Sequence, residues 1–67
     1  MRLRYELYIH TDHFGYRPVG LYGNRGDAKA KVRELTAKKR CRWTDIGKGT
    51  LFHEGERGVD WYIGRRT

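Results

Sequence analysis

The sequence predicts a small α+β domain: an antiparallel sheet in the chain order β-β-α-β-β-β, with one helix packed on one face. Three observations predict it. Apolar and polar residues alternate near both ends, through Leu3, Tyr5, Leu7 and Ile9 and again through Val59, Trp61 and Ile63, which is the period of half-buried strands. Between them one segment changes to a helical period, and glycine-bearing turns separate the remaining alternating runs. At 67 residues the chain holds one domain, and a fold of this size buries only about 60% of its unfolded surface, so the core is shallow.

The elements follow in order. Leu3 to His10 reads as a strand with Arg4, Glu6, Tyr8 and His10 on its polar-aromatic face. Thr11 to Gly15 carries turn chemistry, after which Arg17, Val19 and Leu21 alternate as the second arm of a hairpin; Pro18 cannot donate to a ladder and marks an edge strand. Asn24, followed three residues later by Asp27, resembles a capping box and opens a helix expected over 25–39. At 100° per residue Ala28, Val32 and Leu35 form a narrow apolar stripe, with Lys29, Arg33 and Arg40 on one flank and Lys31 and Lys38 on the other. Lys38 and Lys39 then complement the dipole in the last turn, whereas Lys29 falls in the first, where a cation is mildly unfavourable. Residues 41–46 alternate as a strand, 47–49 turn into Thr50 to Glu54, and the loop from Gly55 to Gly58 leads to the last strand. Arg65, Arg66 and Thr67 read as a basic tail.

Fifteen Lys and Arg against eight Asp and Glu give a net charge of +7, a field that draws polyanions whatever the fold. Ten of those cations are arginine, which favours planar, bidentate contact with phosphate or guanine. No apolar run approaches the roughly 20 residues of a membrane-spanning helix. The charged, alternating start and the single Cys41 fit a reducing cytoplasmic compartment.

With the apolar strand residues, Leu21 and Leu35 turned inward, the opposite sheet face receives Arg4, Glu6, Tyr8, His10, Arg42, Thr44, Phe52, Asp60 and Tyr62. Such a face can stack unpaired bases on rings while guanidinium groups neutralise phosphates. Aromatic residues are also good strand formers, so the rings alone do not require a ligand. The expected nucleic-acid contacts are therefore Lys29, Arg33, Arg40 and Arg42, with Tyr8, Tyr62 and Arg4 for stacking or backbone contact.

Other constellations are weaker. His10, Asp12, His13, Cys41 and His53 hold metal-ligating atoms, but no paired-cysteine spacing accompanies them, so no metal or other cofactor is expected; His10 and His53 read as wet-face residues and His13 as a turn residue. A small ribonuclease would use His10, His53 or Glu54 as acid and base, with Arg42 or Arg57 on the phosphate. No spacing forces them together, and the expectation is a non-enzymatic domain.

The opening Tyr5-Glu6-Leu7-Tyr8-Ile9-His10, the Tyr22-Gly23-Asn24 junction into one Ala/Lys-rich helix and the closing Val59-Asp60-Trp61-Tyr62-Ile63 together resemble the small accessory proteins of bacteriophages, particularly those of actinobacterial hosts. The resemblance covers the full chain in layout and composition, and implies a host-directed or regulatory role. The hairpin-then-helix opening is also similar to the arm-type DNA-binding domains of phage integrases, which place their helix after all three strands, whereas here strands follow it. Two partners thus emerge: nucleic acid or a complex that handles it, or an acidic surface on a protein target. A core this small and an exposed edge strand also admit self-association.

Overall fold

The computed structural model describes residues 4–38 and 40–66. One five-stranded antiparallel sheet carries a single helix: β1 (Tyr5–Thr11), β2 (Gly15–Tyr22), α1 (Arg25–Thr36), β3 (Thr44–Gly47), β4 (Thr50–Glu54) and β5 (Asp60–Arg65). The spatial order is β2-β1-β5-β4-β3, so the first and last strands meet at the centre and the two hairpins flank them. The α+β class and the element order are as expected from the sequence.

The core forms where alternation turns one face toward the helix. Leu7 lies opposite Ile63, and Ile63 opposite Leu51, across the three central strands. Ala28 and Val32 descend on them from α1, and Trp61 completes a buried cluster. Leu7, Ile63 and Val32 are fully enclosed, each worth about 1.5–3 kcal/mol of apolar burial. Tyr5, Ile9, Val19, Tyr22, Cys41, Trp43 and Val59 pack around the cluster. Gly55 holds the β4–β5 loop against it: a Cβ there would sit 2.1 Å from the carbonyl oxygen of Val59, so no other side chain fits.

The helix begins as its cap predicts. Asn24 is extended, its Oδ1 accepts from the Asp27 amide at 2.8 Å, and its Nδ2 donates to the Asp27 carboxylate. It ends three residues early. The Thr36 hydroxyl donates to the Val32 carbonyl at 2.7 Å, and Ala37 turns left-handed at φ 56°, which closes the helix at Thr36. Arg33 therefore occupies the last turn, Lys29 is the fifth helical residue and not in the first turn, and Lys38 and Arg40 lie beyond the helix. Lys39 lies outside the described residues, as does Leu3, expected in the core.

Four other expectations change. A bulge in β2 seats Gly20 opposite Leu7 and Pro18 opposite Tyr8, leaving Val19 as the extra residue; the parity flips, and Leu21 faces Glu6 on the open side, 38% exposed. Leu35 is 50% exposed; the residues of α1 that are buried against the sheet are Ala28 and Val32. β3 starts only at Thr44, and all four of its residues are exposed. Two residues of the expected basic tail extend the ladder instead, Arg65 pairing with Tyr5 and the Arg66 amide donating to the Arg4 carbonyl; Thr67 lies outside the described residues.

Candidate nucleic-acid interface

The face away from the helix is built by the same alternation that fills the core. With Leu7, Leu51, Trp61 and Ile63 inward, Glu6, Tyr8 and His10 of β1, Phe52 and Glu54 of β4, and Asp60 and Tyr62 of β5 project outward. Register then aligns them. Tyr8 lies opposite Tyr62, Tyr62 opposite Phe52, and Phe52 opposite Thr44, one row crossing four strands. From β2, Tyr16 lies opposite His10 and leans into the same row.

The rings form a continuous series. Centroids are 4.5 Å apart for His10 and Tyr16, 5.3 Å for Tyr16 and Tyr62, and 5.1 Å for Tyr62 and Phe52, all tilted or edge-on. Tyr16 is the most open of them at 63%. Hydroxyls at the margin are engaged: Tyr8 donates to Glu6 Oε1 at 2.8 Å, and that bond to a carboxylate raises the Tyr8 pKa above the ordinary tyrosine range. The neighbouring Tyr16 side chain, with burial, also raises Tyr62 above the ordinary tyrosine range. Both phenols stay protonated and neutral under physiological conditions.

Two shallow hollows flank the rings. One, of about 360 Å³, is lined by Tyr8, Tyr16, Thr50, Tyr62, Gly64 and Arg65. The other, of about 230 Å³, is lined by Arg42, Thr44, Phe52, His53 and Glu54. Charge on this face is mixed along the strands: Arg4 and Arg66 occupy one end with Glu6 next along β1, and at the other Glu54 faces Asp60 with Arg42 lining the same hollow as Glu54.

The residues expected to bind nucleic acid divide between two surfaces. Tyr8, Tyr62, Arg4 and Arg42 share the open face. Lys29 and Arg33 lie on α1, on the far side of the sheet, and Arg40 follows the helix in the crossing to β3. Among the described residues Lys29 and Arg33 have no ion-pair partner, whereas Lys31 pairs with Glu34 at 3.4 Å and Lys38 with Glu56 at 3.1 Å. Arg25 stands on the same helical flank; its Nη2 donates to the Gly49 carbonyl and its guanidinium lies over the Tyr5 ring.

His53 corrects the reading of it as a wet-face residue. It follows Leu51 by two positions, so it points inward, 6% exposed, against Trp43 at 5.3 Å with Nδ1 2.9 Å from the Arg42 carbonyl. The ring thereby pins the segment carrying Arg42 to β4. His10 and Glu54 face the other way, so of the residues considered for acid–base work on RNA the sheet separates His53 from the other two. Among the described residues no three His, Cys, Asp or Glu side chains come together to hold a metal, and no helix is long and apolar enough to cross a membrane. The sequence reading missed Tyr16 and Arg66; pairing across the Thr11 to Gly15 turn would have placed Tyr16 beside His10. Comparison with protein-family models, curated proteins and solved structures returns no significant match to the chain.

Proposed function

We propose that this is a non-catalytic domain that binds single-stranded nucleic acid on the open face of its sheet. The observation that carries the reading is the unbroken series of rings, His10, Tyr16, Tyr62 and Phe52, on the face that also bears Arg4, Arg42 and Arg66. Stacking needs bases freed from a duplex, and a platform of side-by-side rings offers several of them a π-surface irrespective of sequence. The arginines supply the phosphate contacts, and the net charge of +7 supplies the long-range attraction.

Fluorescence anisotropy with single-stranded DNA, single-stranded RNA and duplex DNA of equal length tests it. Single strands bind more tightly than duplex. With about three phosphates neutralised, one per arginine, a fourfold rise in salt weakens binding by roughly 20-fold. Equal affinity for duplex and single strand, or no binding at low salt, refutes the reading.

A second reading draws on the helix. The unpaired Lys29 and Arg33 favour an acidic protein surface docking on α1, as in a modulator of a host component of the kind the phage-like layout implies. The charge reversals below separate the two.

A further inference from the structure

Of the two hollows on the open face, the larger is built as a receptacle rather than a gap between side chains. Its floor is backbone: Gly64 sits on the central strand β5, where neighbouring outward positions carry Asp60 and Tyr62, so one missing side chain creates the depression. Tyr8 closes over that position, since a Cβ on Gly64 would come 3.3 Å from Tyr8 Cε2. Tyr62 and Tyr16 bound it on another side, and Thr50 provides a hydroxyl. A volume of about 360 Å³ lies at the small end of ligand sites.

We propose that this hollow is a nucleobase subsite, holding one base turned out of the bound strand while its neighbours stack along Tyr62 and Phe52. The proposal rests on the single-strand reading above. Three features select a base over an aliphatic or a purely anionic ligand. The walls are flat aromatic faces and edges, which match a planar heterocycle. The hydrogen-bonding rim is largely neutral, Arg65 being the one charged residue that lines it: the Tyr8, Tyr62 and Thr50 hydroxyls can exchange hydrogen bonds with the edge of a base. Positive charge stands at the hollow itself, where Arg65 lines it and can meet a phosphate attached to an inserted base.

Adenosine and uridine monophosphates are the probes, titrated by NMR against ring-proton and arginine resonances, alongside a single-stranded 12-mer followed by anisotropy. In the parent both nucleotides shift Tyr8 and Tyr62 ring protons. Gly64→Val fills the floor with a residue that strands accept, and Thr50→Tyr narrows the hollow from β4 should the first variant fold poorly. Either variant, with its cooperative melt retained, loses the nucleotide-induced ring shifts and binds the 12-mer at least fivefold more weakly. Phe52→Ala weakens the 12-mer yet leaves the mononucleotide shifts in place.

Parental ring shifts and 12-mer affinity in both filled variants overturn the subsite while the platform stands. Shifts confined to arginine resonances, reproduced by inorganic phosphate alone, also overturn it. If the parent fails to bind the 12-mer, the platform itself falls and takes the subsite with it.

Discussion

Reversing two pairs of cations, one pair on each layer, decides which surface meets the ligand. Arg4→Glu with Arg66→Glu changes the open face; Lys29→Glu with Arg33→Glu changes the helix. Two reversals remove four units of charge in each case, so both proteins carry +3 in place of +7 and long-range attraction is matched. For single strands the slope of log K against log salt is about −0.7 per neutralised phosphate, so losing two contacts flattens it by about 1.4. Extrapolated from 1 M to 0.1 M salt, that difference is a loss of about 25-fold in affinity. The open-face pair shows this loss and the flattened slope; the helix pair shows only the few-fold drop due to net charge. Stability behaves in the opposite way. Arg4 and Arg66 are exposed and joined through their backbones, so their substitution leaves the melt within about 0.5 kcal/mol of the parent. Arg33 stands in the last helical turn, where losing a favourable cation costs about 0.3–1 kcal/mol, a fall of roughly 1–8 °C in Tm. Anisotropy across a salt series, with thermal melts of both variants, makes the comparison. Equal losses with equal slopes would mean that net charge alone binds, and a larger loss from the helix pair would move the interface to α1.

Three further outcomes follow from the geometry. Trp61→Ala empties the heart of the buried cluster and costs about 3–5 kcal/mol, close to the whole stability of a domain this size, so far-UV circular dichroism shows an unfolded chain at 37 °C; Leu35→Ala, at a half-exposed site, melts within a few degrees of the parent. Ala37→Gly relieves a left-handed alanine at the helix end and raises stability by about 1 kcal/mol, or 4–8 °C in Tm, and a lower Tm would mean that the helix end is not closed by that conformation. Tyr8 and Tyr62 ionise at higher pH folded than unfolded, so their contribution is fully present below the unfolded tyrosine pKa and is lost as pH rises through their folded values; chemical denaturation midpoints decline above about pH 10, and Tyr8→Phe shallows the decline.

The features legible in the sequence were those governed by a single local rule. Alternation alone assigned both faces of β1 and β5, and Asn24 with Asp27 fixed the start of the helix, because each depends on residues two or three apart. What the sequence concealed depends on partners. Leu21 looks inward until the bulge at Val19 reverses the parity of β2, a feature set by pairing with β1. The helix end at Thr36 lacks the usual glycine, since Ala37 takes the left-handed turn without one. His53 has polar chemistry and a core address, justified only by the Arg42 carbonyl that meets it. Of the expected contacts, the rings and Arg4 were found together because strand parity is enough to group them, while Arg42, ahead of β3, joins them through the segment that His53 holds to β4. Lys29 and Arg33 were grouped with Arg42 by charge, and the sheet stands between them.

Both borders of the sheet bear marks that matter in a crowded solution. β2 exposes one border, and there Pro18 removes a donor while the bulge at Val19 breaks the regular spacing of the rest. β3 exposes the other; it is four residues long, and its pairing slips between Asp45 and Gly47 so that Ile46 stands outside the ladder. A neighbouring chain seeking to extend the sheet meets a broken template at either border, and repulsion between copies carrying +7 acts before they touch. Strand-by-strand aggregation is thereby discouraged in a protein that exposes Tyr16, Leu21 and Ile46 to water.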